Sequence, residues 1–122
     1  MPDVLALVDD LFFMSKMTET ARQVGVALQT VSTGDALLAA AAASSGTPGG
    51  PRLLLVDLNA RAGALQAIET LHAEGNPLPV IAFLSHVQVD LAERARAAGC
   101  RQVMPRSKFT MELAQILHQA KS

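Results

Sequence analysis

Residues 53–57 read Leu53-Leu54-Leu55-Val56-Asp57. An unbroken apolar run has no polar side to turn to water, so it reads as a strand buried on both faces, and here it stops on an acid. Residues 4–10, Val4-Leu5-Ala6-Leu7-Val8-Asp9-Asp10, repeat the pattern, with two acids at the end. Working outward, Phe13, Met17, Ala21 and Val24 recur at helical spacing, and Gly25 can end that helix. Val26 to Val31 is a second, weaker strand, after which Ser32 or Thr33 can cap the helix carrying Leu37 and Leu38. Beyond residue 57, Ala64, Leu65, Ile68 and Leu71 mark a helix that stops near Gly75-Asn76-Pro77. Pro79 to Leu84 is a fourth strand, Val87 to Ala98 a helix ended by Gly99, and Gln102 to Pro105 a short fifth strand. Ser107 can cap a last helix whose inner face is Phe109, Leu113, Ile116 and Leu117. Strands alternating with helices at this spacing predict right-handed crossovers and a three-layer, doubly wound α/β domain with five parallel strands. In such sheets the functional site lies beyond the carboxyl ends of the strands.

The chain has 122 residues, enough for one domain spanning 1–122 and too few for two. Ser44 to Pro51 is rich in Ser, Gly and Pro and reads as a loop inside that domain. Hydrophobic residues make up 50% and charged residues 17%, which argues against disorder. Ten basic against eleven acidic residues leave a net charge of −1, so a basic surface for nucleic acid is not expected. With no Trp or Tyr there is no base-stacking platform either. Cys100 is alone, which excludes an internal disulfide, and it reads as small core filler. No leader pattern and no apolar stretch of roughly 20 residues is present, so the protein is expected to be soluble and cytoplasmic, with no membrane contact.

Neighbouring first and third strands would bring Asp9, Asp10 and Asp57 together. Packed carboxylates raise one another's pKa unless a cation offsets them, and a hard cation such as Mg²⁺ suits them. A carboxylate beside Mg²⁺ can also attack a phosphoryl group. These two acid-tipped strands and the alternation around them resemble the receiver domain of two-component response regulators, over nearly the whole chain. The resemblance implies a flavodoxin-like topology with strand order 2-1-3-4-5. It also implies that Asp9 and Asp10 hold Mg²⁺ and that Asp57 accepts phosphate and contributes to the metal site. Asn59 falls where the family offers a backbone carbonyl to the metal.

The rest of the receiver pattern departs from the family. Leu84 stands where receivers carry a Thr or Ser hydroxyl, and Ser85 comes one residue late. Arg106 replaces the family Lys, Ser107 the Pro after it, and Val103 the switch aromatic. Arg keeps the charge, but its planar fork is not an ammonium. The loop from Leu58 to Gly63 lacks the Met-Pro pair. Phe13 reads as core, whereas Phe12 is placed to cover the acidic pocket. Lys108 reads as a surface residue, and so do Arg94, Arg96 and Arg101. Of His72, His86 and His118, only His86 falls near the carboxyl edge, and it reads as a loop residue. Gly46 to Gly50 precedes a strand and so fails as a phosphate loop.

The resemblance implies a signalling domain of a phosphorelay and not an enzyme. It would end right after its fifth helix, with Asp57 as a Mg-dependent phosphoacceptor. Its protein partners would be a histidine kinase or a downstream effector. Its output, or weak homodimerisation, would run through the fourth helix, fifth strand and fifth helix. The worn positions motivate a second reading, a phosphorylation-independent pseudo-receiver acting as a binding or dimerisation module. A small phosphoryl-transfer enzyme is a third, with neither a base nor a lid to support it.

Overall fold

Each apolar run of the sequence becomes a strand, and each helical repeat packs over one of the two sheet faces. The computed structural model describes residues 2–44, 50–60, 63–84 and 88–120. The element order is β1 (Val4–Leu7), α1 (Leu11–Val24), β2 (Leu28–Val31), α2 (Gly34–Ser44), β3 (Leu53–Asp57), α3 (Ala64–Ala73), β4 (Val80–Leu84), α4 (Val89–Ala97), β5 (Gln102–Pro105) and α5 (Arg106–Gln119). All four strand pairings are parallel, and the sheet order is β2-β1-β3-β4-β5. This is the expected doubly wound topology.

Period-two alternation divides the core. Leu5, Leu7, Leu54, Val56, Ala82 and Leu84 pack with Leu37, Ile68, Leu71 and Ala95, under α2, α3 and α4. Val4, Ala6, Leu53, Leu55, Ile81 and Phe83 pack with Phe13, Met17, Phe109, Leu113 and Leu117, under α1 and α5. Burial of a Leu or Phe of this kind contributes roughly 1.5–3 kcal/mol, so the sheet's two buried faces dominate stability. Cys100 packs at the edge of the first cluster, and burial pushes its thiol up to about 11.

The helix ends follow from single residues. Asp10 caps α1, its Oδ1 accepting from the amides of Phe12 at 2.9 Å and Phe13 at 3.2 Å. Gly25 closes α1 with a φ of 84°. Thr33, of the two candidates, supplies the side-chain bond to the start of α2, accepting from the Ala36 amide at 3.0 Å.

Several expectations are corrected. Strand β1 ends at Leu7, with Val8 buried but outside the ladder, and β2 begins only at Leu28. Ser107 caps nothing: α5 starts one residue earlier, at Arg106, and its cap position is Pro105, which has no side chain able to accept a bond. Ser107 therefore lies exposed in the first turn. Phe12 does not cover the acidic pocket. It is 91% exposed, because the phase that buries Phe13, Met17 and Ala21 turns its neighbour outward. The expected fourth helix is described from Val89, its predicted first residue, 87, lying outside the described residues.

Candidate functional site

The parallel sheet puts the C-termini of β1, β3 and β5 at one edge, and the residues just after them meet there. Asp57 ends β3 on the same strand face as Leu53 and Leu55, the side covered by α1 and α5. Asp9 and Asp10 lie between β1 and α1. Arg106 opens α5 immediately after β5. Together with Asn59 they line one open cleft of about 520 Å³. The convergence of the three acids expected from the sequence is therefore observed.

An arginine occupies the centre of this arrangement. Arg106 Nη2 donates to Asp57 Oδ2 at 2.9 Å, and Nη1 to Asp10 Oδ2 at 3.3 Å. The other Asp57 oxygen, Oδ1, accepts from the Asn59 amide at 2.9 Å, and Asp10 Oδ1 is held by the α1 cap. Asp57 is 1% exposed. Burial pushes its carboxyl above the ordinary value, assisted by the nearby Asp9 charge, against the opposing pull of the Asn59 amide and Arg106. Asp10 is shifted the other way, chiefly by the Phe13 amide, with Arg106 acting in the same direction.

Below the guanidinium lies an aromatic floor. The Arg106 Cζ stands 4.7 Å from the Phe13 ring centroid and 5.9 Å from that of Phe83. Phe83 stacks on Phe109 at 4.1 Å and meets Phe13 at 5.3 Å. This seat was absent from the sequence reading, which had Phe13 and Phe109 only as core. The signal lay in strand pairing: Asp57 aligns with Phe83 across β3 and β4, so both point to the α1 and α5 side. The Arg106 Nε is buried and has no hydrogen-bond partner among the described residues.

The Asn59 side chain donates to Gln88 Oε1 at 2.8 Å, tying the loop after β3 to the start of α4, a link the sequence did not reveal. Leu84 is buried and Val103 half-buried, and both line a separate groove of about 160 Å³ with Val89, Ala92, Met104 and Pro105. Lys108 is exposed, 4.0 Å from Glu112. Ser85 and His86 lie outside the described residues.

The fit of Mg²⁺ to these residues is decided by the same contacts. The ion prefers an octahedron of oxygens with retained waters. Both oxygens of Asp57 and both of Asp10 already accept hydrogen bonds, and a permanent cation lies between the two carboxylates. Among the described residues, no three acidic, His or Cys side chains are arranged to hold a metal ion. In this arrangement a divalent ion would compete with the Arg106 guanidinium for the Asp10 and Asp57 oxygens.

No family model matches the sequence, and no curated protein matches it significantly. Solved structures do match the fold. A response regulator in red light signalling of R. palustris aligns with a TM-score of 0.76 at 20% identity, over 97% of this chain and 92% of that one. The receiver domain of NtrX from Brucella abortus gives 0.78 at 20% identity, over 97% of each chain. The phosphorylated cyanobacterial phytochrome response regulator RcpA gives 0.72 at 17% identity, over 97% of this chain and 89% of that one. The chain has the fold of response-regulator receiver domains. No helix among the described residues is long and apolar enough to cross a membrane.

Proposed function

We propose that this chain is a receiver-type signalling domain whose output is binding to another protein, and that it works without phosphorylation of Asp57. One observation carries the second part. Leu84 and Val103, at the positions where receivers carry a hydroxyl and a mobile aromatic, are apolar neighbours lining one groove between β4, β5 and α4. Neither can bond a phosphoryl oxygen, and valine has no ring to rotate. Among the described residues, a change at Asp57 thus meets neither a hydroxyl nor a ring at these two positions to carry it to that groove, and on this reading the α4–β5–α5 face presents one surface throughout. Val89, 56% exposed beside the groove, gives a protein partner an apolar anchor.

The test is complementation of a chromosomal deletion by single variants. Asp57→Asn is expected to restore the wild-type phenotype, and Ala92→Glu, which places a charge in the groove, is expected to fail while remaining folded. The opposite pattern rejects the proposal.

A second reading keeps Asp57 as a phosphoacceptor fed by a histidine kinase. It is favoured by the position of Asp57 at the tip of β3, in one cleft with Asp9 and Asp10. Incubation with acetyl phosphate and Mg²⁺, followed by intact-mass measurement, separates the two. A phosphoryl adduct that Asp57→Asn removes establishes the second reading, and an unmodified wild-type protein excludes it.

A further inference from the structure

The cleft contains three carboxylates and, from the chain itself, a cation bonded to two of them, Asp10 and Asp57. We propose that Arg106 is the resident cation of this site and stands in for a divalent metal ion. This goes beyond the binding function proposed above and does not depend on it.

The guanidinium fork spans both carboxylates at once, 2.9 Å from Asp57 and 3.3 Å from Asp10. A lysine ammonium is a compact point charge on a flexible stem, whereas the planar fork offers two parallel donors in fixed geometry. The fork is also seated, over Phe13 and beside Phe83, and its Nε is buried. Its side chain is 27% exposed, so it screens the almost fully buried Asp57 carboxylate from water. Because the cation is carried by the chain itself, it is not diluted away.

Metal binding would then demand two changes together. The guanidinium would have to leave both carboxylates, because a divalent charge in the same cleft repels it at close range. Asp10 and Asp57 would also have to turn oxygens now bonded to Arg106 toward the ion. The intact protein is thus closed to Mg²⁺, and removal of the arginine opens a carboxylate pair that a divalent ion can enter. The unbranched stem and the charge both matter. Arg106→Gln removes the charge, Arg106→Ala removes charge and bulk, and Arg106→Lys keeps a charge able to satisfy one carboxylate at a time.

The experiment titrates Mn²⁺ alone into wild-type protein and the three variants, following free Mn²⁺ by electron paramagnetic resonance, with circular dichroism to verify folding. The wild type is expected to give no saturable binding through the millimolar range. Arg106→Ala and Arg106→Gln are expected to bind at least roughly tenfold more tightly than the wild-type limit, with Arg106→Lys between. Adding Asp57→Asn to Arg106→Ala is expected to abolish the gain. Saturable millimolar binding by the wild type overturns the proposal, and so does a folded Arg106→Ala or Arg106→Gln that binds no better than wild type. Arg106→Lys preserves a cation over the buried acid and keeps the comparison open if the neutral variants unfold. The titration reads metal binding alone, and the intact-mass measurement reads the phosphoryl adduct separately.

Discussion

Arg106 and Asp57 should behave as one unit, and a double-mutant cycle measures this. The two groups meet at 2.9 Å with Asp57 1% and Arg106 27% exposed. Removing one partner of a buried pair costs roughly 3–5 kcal/mol, because the other charge stays buried without compensation. The partial exposure of Arg106 lets water recover some of that, so Arg106→Ala should lose about 2–4 kcal/mol at neutral pH. Asp57→Asn is different. It removes a carboxylate whose burial outweighs its pairing, as the upward shift of its pKa indicates, and leaves Arg106 with Asp10. In that background Arg106→Ala loses only its seat on Phe13 and its contact with Asp10. The cation–π share is about 0.5–1 kcal/mol. The coupling between the two sites should therefore be about 1.5–3 kcal/mol, measured by urea unfolding at fixed m-value. Additive single-site effects, with coupling below about 0.5 kcal/mol, would show that the two groups are not paired in solution.

The pH dependence of the same pair gives a second prediction. Because the folded-state pKa of Asp57 lies above its unfolded value, protonation favours the folded state; this stabilisation is fully present below 3.8 and is lost as pH rises toward the folded value. Asp57→Asn should therefore gain stability relative to wild type across that window, and a relative loss there would contradict the burial argument. Phe83→Ala, which removes a fully buried ring stacked on Phe109 and the floor below Arg106, should cost about 3–5 kcal/mol in urea unfolding. A Cβ at Gly99, where φ is 103°, would stand 2.5 Å from His72 Nδ1, so Gly99→Ala should lower stability by about 2 kcal/mol and its melting temperature with it. At about pH 8, a thiol at about 11 in place of 9.0 has roughly a hundredth of the thiolate, so Cys100 should react with iodoacetamide about 100-fold more slowly in the native protein than in urea.

How far the sequence carried this account depended on the range of the interactions concerned. Strands buried on both faces announce themselves as apolar runs, and Val4 to Leu7, Leu53 to Val56 and Val80 to Leu84 were legible for that reason. The acids at their tips were equally plain, and the parallel sheet brought Asp9, Asp10 and Asp57 to one cleft. Edge strand β2, only partly buried, gave a weaker pattern and a misplaced start. Ser107 looked like a cap because capping is read from residue type, yet the helix began at Arg106. That single-residue difference sets Arg106 at the helix start, facing acids 49 and 96 positions away. No local pattern encodes such a tertiary pairing, nor the ring cluster that seats it. Phe12 was misjudged by a helical phase of one residue, which decides between core and solvent.

Either Arg106 or a metal ion compensates the buried acid, and the proposal assigns that place to Arg106. A crystal structure of the wild-type protein grown in millimolar Mn²⁺, with anomalous data, tests it directly. The account predicts the guanidinium over Phe13, bonded to Asp57 and Asp10, with no anomalous peak in the cleft. Manganese bound among Asp9, Asp10 and Asp57, with Arg106 turned out to solvent, would contradict it.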